Sequence, residues 1–143
     1  MKGCISMELK RIGVITSPYK EKGQAPRQGR FSDTIATIEI FPQYAKALKG
    51  LKKSSNIIVL YWGDRADRSI VQTIPPWSTE LTGVFASRSP SRPNPIAICL
   101  CKIMDMKDNI LKVQGLDALD KSPLLDIKVY SNELDSRERA EDD

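Results

Sequence analysis

Histidine is absent from all 143 residues. That removes Ser-His-Asp and Cys-His nucleophilic chemistry, the usual imidazole-bound zinc hydrolases and any imidazole acid or base, so Asp, Glu, Lys, Tyr or water must carry any proton transfer. Cysteine is scarce: Cys4, Cys99 and Cys101 are an odd set without CxxC spacing, which supports neither a disulfide framework nor a metal site. Cys99 and Cys101, two apart, are expected on one face of a strand as small buried hydrophobes. No apolar run approaches the roughly 20 residues that span a bilayer, and the charged opening, residues 1–11, has no secretory h-region, so the expectation is a cytoplasmic protein without a membrane partner. Neither GxGxxG nor GxxxxGK[ST] occurs among the eight glycines, which argues against a Rossmann domain and a P-loop. Aromatic content is only 6%, with Tyr61 and Trp62 inside an apolar run read as buried, and this argues against a cofactor-free barrel that binds RNA by stacking.

What the chain has is apolar content of 41%, enough for one domain with a real core. Its net charge of +4 is uneven. Residues 133–143 hold six acids (Glu133, Asp135, Glu138, Glu141, Asp142, Asp143) against Arg137 and Arg139, leaving 20 basic and 12 acidic residues in the body. A body at +8 favours a polyanionic partner such as RNA. Lys20, Lys22, Arg27 and Arg30 form a basic loop opposed only by Glu21, and Lys20, Lys22 and Arg27 are its RNA-binding candidates.

Strands are predicted at residues 11–16, 34–40, 56–62, 69–73, 82–87, 96–106, 110–114 and 124–130, separated by proline, glycine or Asp-Asn turn signals. In 34–40, Ala36, Ile38 and Ile40 alternate with Ile35, Thr37 and Glu39, as on a strand with one buried face. The run 56–62 is continuously apolar after Asn56 and reads as a strand covered on both faces. Pro42 opens a predicted helix whose Tyr44, Ala47, Leu48 and Leu51 form a stripe at i, i+3, i+4 and i+7, with Gly50 at its end. About eight short strands and one short helix imply an all-β fold, a mostly antiparallel barrel, with a solvated or frayed end from Asn132.

Ser87-Arg88-Ser89-Pro90-Ser91-Arg92-Pro93-Asn94-Pro95 concentrates three prolines around two arginines and an asparagine. Each proline fixes its own φ and holds the preceding residue extended, so the segment is stiff before anything binds. An amide flanked by guanidinium groups suits a ligand with an adenine edge and a carboxylate or phosphate, while a proline-rich turn between strands accounts for the same residues.

Several words in one order carry a resemblance. They are Ile12-Gly13-Val14-Ile15 with Ser17-Pro18-Tyr19-Lys20, Pro26-Arg27-Gln28, Gly83 through Pro90 into Arg92-Pro93-Asn94-Pro95, and Leu116-Asp117 through Asp126-Ile127-Lys128 and Tyr130. Together these resemble the TsaA-like or TrmO family. The resemblance implies a single barrel of six or seven strands over residues 1–132, with 133–143 as an acidic tail, working as a homodimer with S-adenosylmethionine near the subunit interface. The implied activity is methylation of tRNA at N6 of the threonylcarbamoylated adenosine beside the anticodon; a non-catalytic S-adenosylmethionine sensor on the same site is the alternative. It also implies cofactor contacts from Arg88, from Gln28, Gly29, Arg30 and Phe31, from Asp64, Arg65 and Ile98, and from Gln114, Gly115, Leu116 and Asp117. Arg88 suits the methionyl carboxylate, Asp117 either the ribose hydroxyls or a turn cap, and Asn94 either ligand or loop shape. Asp126, on a strand face with Lys128 and Tyr130, is the candidate base, an ion pair being the other role for it. The chain departs from the family pattern at Gly29-Arg30, at Asp64 in place of the usual histidine, and at Asp120-Lys121-Ser122-Pro123 in place of Asp-Gly-Thr-Pro.

Overall fold

The computed structural model describes residues 5–25 and 33–136. Six strands close into one antiparallel barrel: β1 (Gly13–Thr16), β2 (Ile35–Ile40), β3 (Asn56–Trp62), β6 (Ile96–Lys107), β7 (Ile110–Gln114) and β8 (Pro123–Val129), in the order β1-β2-β7-β6-β3-β8. The remaining pair, β4 (Gln72–Thr73) and β5 (Thr82–Gly83), makes a separate two-stranded ribbon.

Alternation turns one side chain in two into the lumen, and closure leaves no sheet edge. Ile15 faces Ile38 and Ile38 faces Leu111, while Ile57 and Val59 stand opposite Cys101 and Cys99. All of these are buried, with Ile103, Val113, Leu116 and Leu124 completing the core. The two cysteines lie inward as expected, as free thiols. Gly13 is required by β1 pairing: a Cβ there would collide with the Glu39 carbonyl oxygen of β2.

Several expected elements change form. Residues Pro42–Leu48 wind as a 3-10 helix rather than an α-helix, with Leu48 buried, Tyr44 and Leu51 half-buried against the core and Ala47 exposed. A seven-residue link against a barrel end cannot repeat an α-helical stripe often enough to bury it, and a tight short helix suffices. β3 is not covered on both faces: Ile57 and Val59 are sealed in the lumen, whereas Ile58, Leu60 and Trp62 on the outer wall are half-buried, with no helix layer over them among the described residues. The strands expected at 69–73 and 82–87 shrink to two residues each, and Val84–Ala86 turns as a 3-10 helix instead. Its Val84 carbonyl finds a donor in Arg92, described below. Beyond β8, Asn132–Asp135 forms a helical turn, α1, whose Ser131 hydroxyl accepts from Leu134 N while Ser131 N donates to Asp135.

Candidate functional site

Antiparallel pairing throughout brings the end of β1, the start of β2, the ends of β3 and β7, and the starts of β6 and β8 to one end of the barrel. The segments 17–25, 63–95 and 115–122 emerge there. These contain most of the positions singled out from the sequence, so residues far apart in the chain meet because the barrel closes.

Two of the three segments are locked around Asp120. Its Oδ1 accepts from Ser17 N at 2.8 Å, its Oδ2 meets Lys20 Nζ at 2.9 Å, and its own N–H donates to the Tyr19 carbonyl at 2.6 Å. The Ser17 amide, then Lys20, holds the Asp120 carboxyl below its ordinary pKa. Arg65, expected at the cofactor, donates instead to the carbonyls of Asp120 at 2.6 Å and Lys20 at 3.0 Å, which ties the turn after β3 to both loops. Asp64 beside it is exposed, 3.9 Å from the Arg65 Nε. Lys121 adopts a positive φ of 66°, where the family word has glycine.

The proline segment is held from within and from the side. Arg92 donates to the carbonyls of Ser89 at 2.9 Å, Ser87 at 2.6 Å and Val84, supplying the partners these irregular residues would otherwise lack. Arg68 donates to the Pro93 carbonyl at 2.7 Å and to Asn94 Oδ1 at 3.1 Å, with its guanidinium 5.1 Å from the Trp62 ring centroid. Gly63 N donates to the Pro95 carbonyl at 2.8 Å. The structure therefore gives Asn94 a loop-holding partner. Arg88, exposed, makes no hydrogen bond or ion pair among the described residues and is the free cation of this rigid loop.

Gln114 through Asp117 leaves β7 through Gly115, whose φ of 96° turns the chain across the barrel end. Leu116 and Ala118 are buried on either side of Asp117. The Asp117 carboxylate turns inward and accepts from the Tyr61 hydroxyl at 2.8 Å. Cys99 Sγ donates to the Gly115 carbonyl at 3.1 Å. Burial pushes the Asp117 carboxyl above its ordinary pKa, against the lowering effect of Tyr61 and Cys99. Burial first, and then the Asp117 charge, pushes the Tyr61 phenol up. Gln114 Nε2 donates to Asp33 at 3.2 Å.

Other predicted positions fall elsewhere. Ile98, 44% exposed, lies on the outer wall opposite Leu60, as does Asp126, which pairs with Lys128 at 3.4 Å. Arg27, Gln28, Gly29, Arg30 and Phe31 lie outside the described residues. Lys22 is exposed on its loop, while Lys20 serves the Asp120 lock. Sequence reasoning missed Tyr61, Arg68 and Asp120 as shapers of the site. Tyr61 was hidden in an apolar run, although a phenol in a buried strand must find a polar partner, and that was the available signal. Tyr61 and Trp62, read as buried, are half-buried, while Trp77 in the loop between β4 and β5 and Phe85 just after β5 are 74% and 90% exposed.

Loops distant in the chain are thus tied together at one end of a small closed barrel. The family model described as the tRNA-methyltransferase O N-terminal domain matches residues 14–136. Over 129 residues the chain is 54% identical to the S-adenosyl-L-methionine-binding protein of Archaeoglobus fulgidus, covering 90% of this chain and 93% of that one. It is 36% identical to the tRNA (adenine(37)-N6)-methyltransferase of Escherichia coli, covering 87% of this chain and 58% of the relative. The crystal structure of TrmO from Pseudomonas aeruginosa superposes with a TM-score of 0.77 at 30% identity, over 95% of this chain and 61% of that one. The chain thus spans about three fifths of the solved TrmO structure, and it belongs to the TrmO family.

Proposed function

We propose that this chain is an S-adenosylmethionine-dependent tRNA methyltransferase acting on N6 of the adenosine beside the anticodon, with the threonylcarbamoylated base as substrate. The observation that supports this best is the convergence, at one barrel end, of a stiff loop bearing an uncommitted Arg88 with the Gln114–Asp117 turn, in a chain matching the TrmO N-terminal domain over residues 14–136. The residues fit the cofactor's chemistry. Arg88 offers a fixed charge for a carboxylate, Asp117 a carboxylate for ribose hydroxyls, and the 115–117 backbone its amide groups for an adenine edge. The cofactor supplies an already activated methyl group on a sulfonium. The protein's part is then to align the adenine nitrogen and exclude water, with Arg65, Arg68 and Arg92 keeping the loops in place.

Lys22 and the neighbouring basic positions hold the tRNA backbone. A homodimer in the cytoplasm belongs to the same proposal: Ile96 and Ile98, 43% and 44% exposed on the outer wall, offer apolar surface to a second copy, which would bring Ile98 and Asp126 near a site they do not reach in one chain. Relatives named only for binding S-adenosylmethionine favour a second reading, a sensor that binds without transferring. Single-turnover transfer of labelled methyl to tRNA with and without threonylcarbamoyladenosine decides between them. Label in the modified tRNA supports the enzyme, binding without transfer supports the sensor, and no binding by calorimetry removes both.

A further inference from the structure

Tyr61 and Asp117 are 56 positions apart, and their contact is a polar one at the barrel end where Leu124 pairs with Tyr61 and Leu116 and Ala118 flank Asp117, all three buried. The hydroxyl comes from a strand whose register is set by β6 on one side and β8 on the other: alternation from Val59 turns Tyr61 inward, and a bulge at Leu125 of β8 sets buried Leu124 opposite it. The carboxylate comes from a turn pinned by buried Leu116 and Ala118. Both partners are therefore held by the fold before any ligand arrives.

We propose that Tyr61 is a positioning residue of the cofactor pocket: from the end of β3 its hydroxyl fixes the Asp117 carboxylate in one orientation, as an acceptor for the ribose hydroxyls of S-adenosylmethionine. This rests on the cofactor reading above. The titratable groups acting on the carboxylate among the described residues are Tyr61 from β3 and Cys99 from β6, with Cys101 of β6 feeling its charge. None is a cation, so hydrogen bonding rather than a counter-charge opposes the effect of burial on the carboxylate. Removing the phenol donor leaves burial less opposed. The carboxyl then takes its proton at higher pH, and the protonated form no longer offers two acceptor oxygens to a diol.

The test compares wild type with Tyr61→Phe, which keeps the ring. Titration of the Asp117 carboxyl carbon by NMR should move to higher pH in the variant, and S-adenosylmethionine affinity should fall about 10-fold at pH 7. The loss should deepen as pH falls and shrink as pH rises. In an Asp117→Asn background, Tyr61→Phe should have no further effect on affinity, a result that a merely structural tyrosine would not give. Fluorinated tyrosine at position 61, a stronger donor with the same ring, should move the carboxyl titration to lower pH, and this arm holds even if Tyr61→Phe does not fold. An unmoved Asp117 titration, or an affinity loss that persists in Asp117→Asn, overturns the inference alone. Failure of the wild-type protein to bind S-adenosylmethionine overturns the cofactor reading, and the ligand role of this pair falls with it.

Discussion

Arg65, Arg88 and Arg92 are alike in the sequence and unlike in the fold. Arg65 and Arg92 direct their guanidinium donors into backbone carbonyls, and Arg88 is left in solvent. Arg88→Ala should thus weaken S-adenosylmethionine binding by about 1.5–3 kcal/mol with no change in melting temperature. Calorimetry and a thermal melt check both halves, and unchanged affinity would remove the carboxylate assignment. Asp120 has a pH signature. Its folded pKa is depressed, so its contribution to stability is present above the unfolded value of about 3.9 and is lost as pH falls through the folded value. The melting-temperature gap between wild type and Asp120→Asn should be widest near neutrality and close below about pH 4. Lys121 sits at φ 66°, a conformation costing a side-chain-bearing residue about 1 kcal/mol, so Lys121→Gly should be neutral or slightly stabilising in chemical denaturation.

Short elements are legible from alternation only where the barrel imposes alternation. β2 reads directly from Ala36, Ile38 and Ile40, which turn inward in alternation with Ile35, Thr37 and Glu39. The turn at Val84–Ala86 and the residues after it do not, because the carbonyls of Val84, Ser87 and Ser89 are satisfied by Arg92 further along the chain, which no local pattern encodes. β1 depends on close approach to β2, and Gly13→Ala should cost about 2–4 kcal/mol by forcing the two strands apart, measurable as a lower denaturation midpoint.

At the level of the whole chain, charge and the missing imidazole govern the behaviour in solution. Lys22→Ala should lower tRNA affinity and reduce the slope of log affinity against log salt by about 0.7–0.9, provided its ammonium meets a phosphate. A wild-type slope in the variant would remove Lys22 from the interface. With no histidine, single-turnover methylation should be nearly flat between about pH 6 and 8. A steep rise through that window that disappears in Asp126→Asn would give the proton to Asp126 in place of its ion pair with Lys128.

Composition and word order were enough for the fold class, for the family and for the stiffness of the proline segment, since these follow from local backbone restriction and from residue patterns contiguous in the chain. Closure was needed for the rest. The inward turn of Asp117 onto Tyr61, the commitment of Arg65 to Lys20 and Asp120, and the removal of Ile98 and Asp126 to the outer wall depend on strand order and register. A shift of one residue in pairing exchanges the lumen for the wall, and nothing in Leu124-Leu125-Asp126 states which side chain the bulge will turn inward.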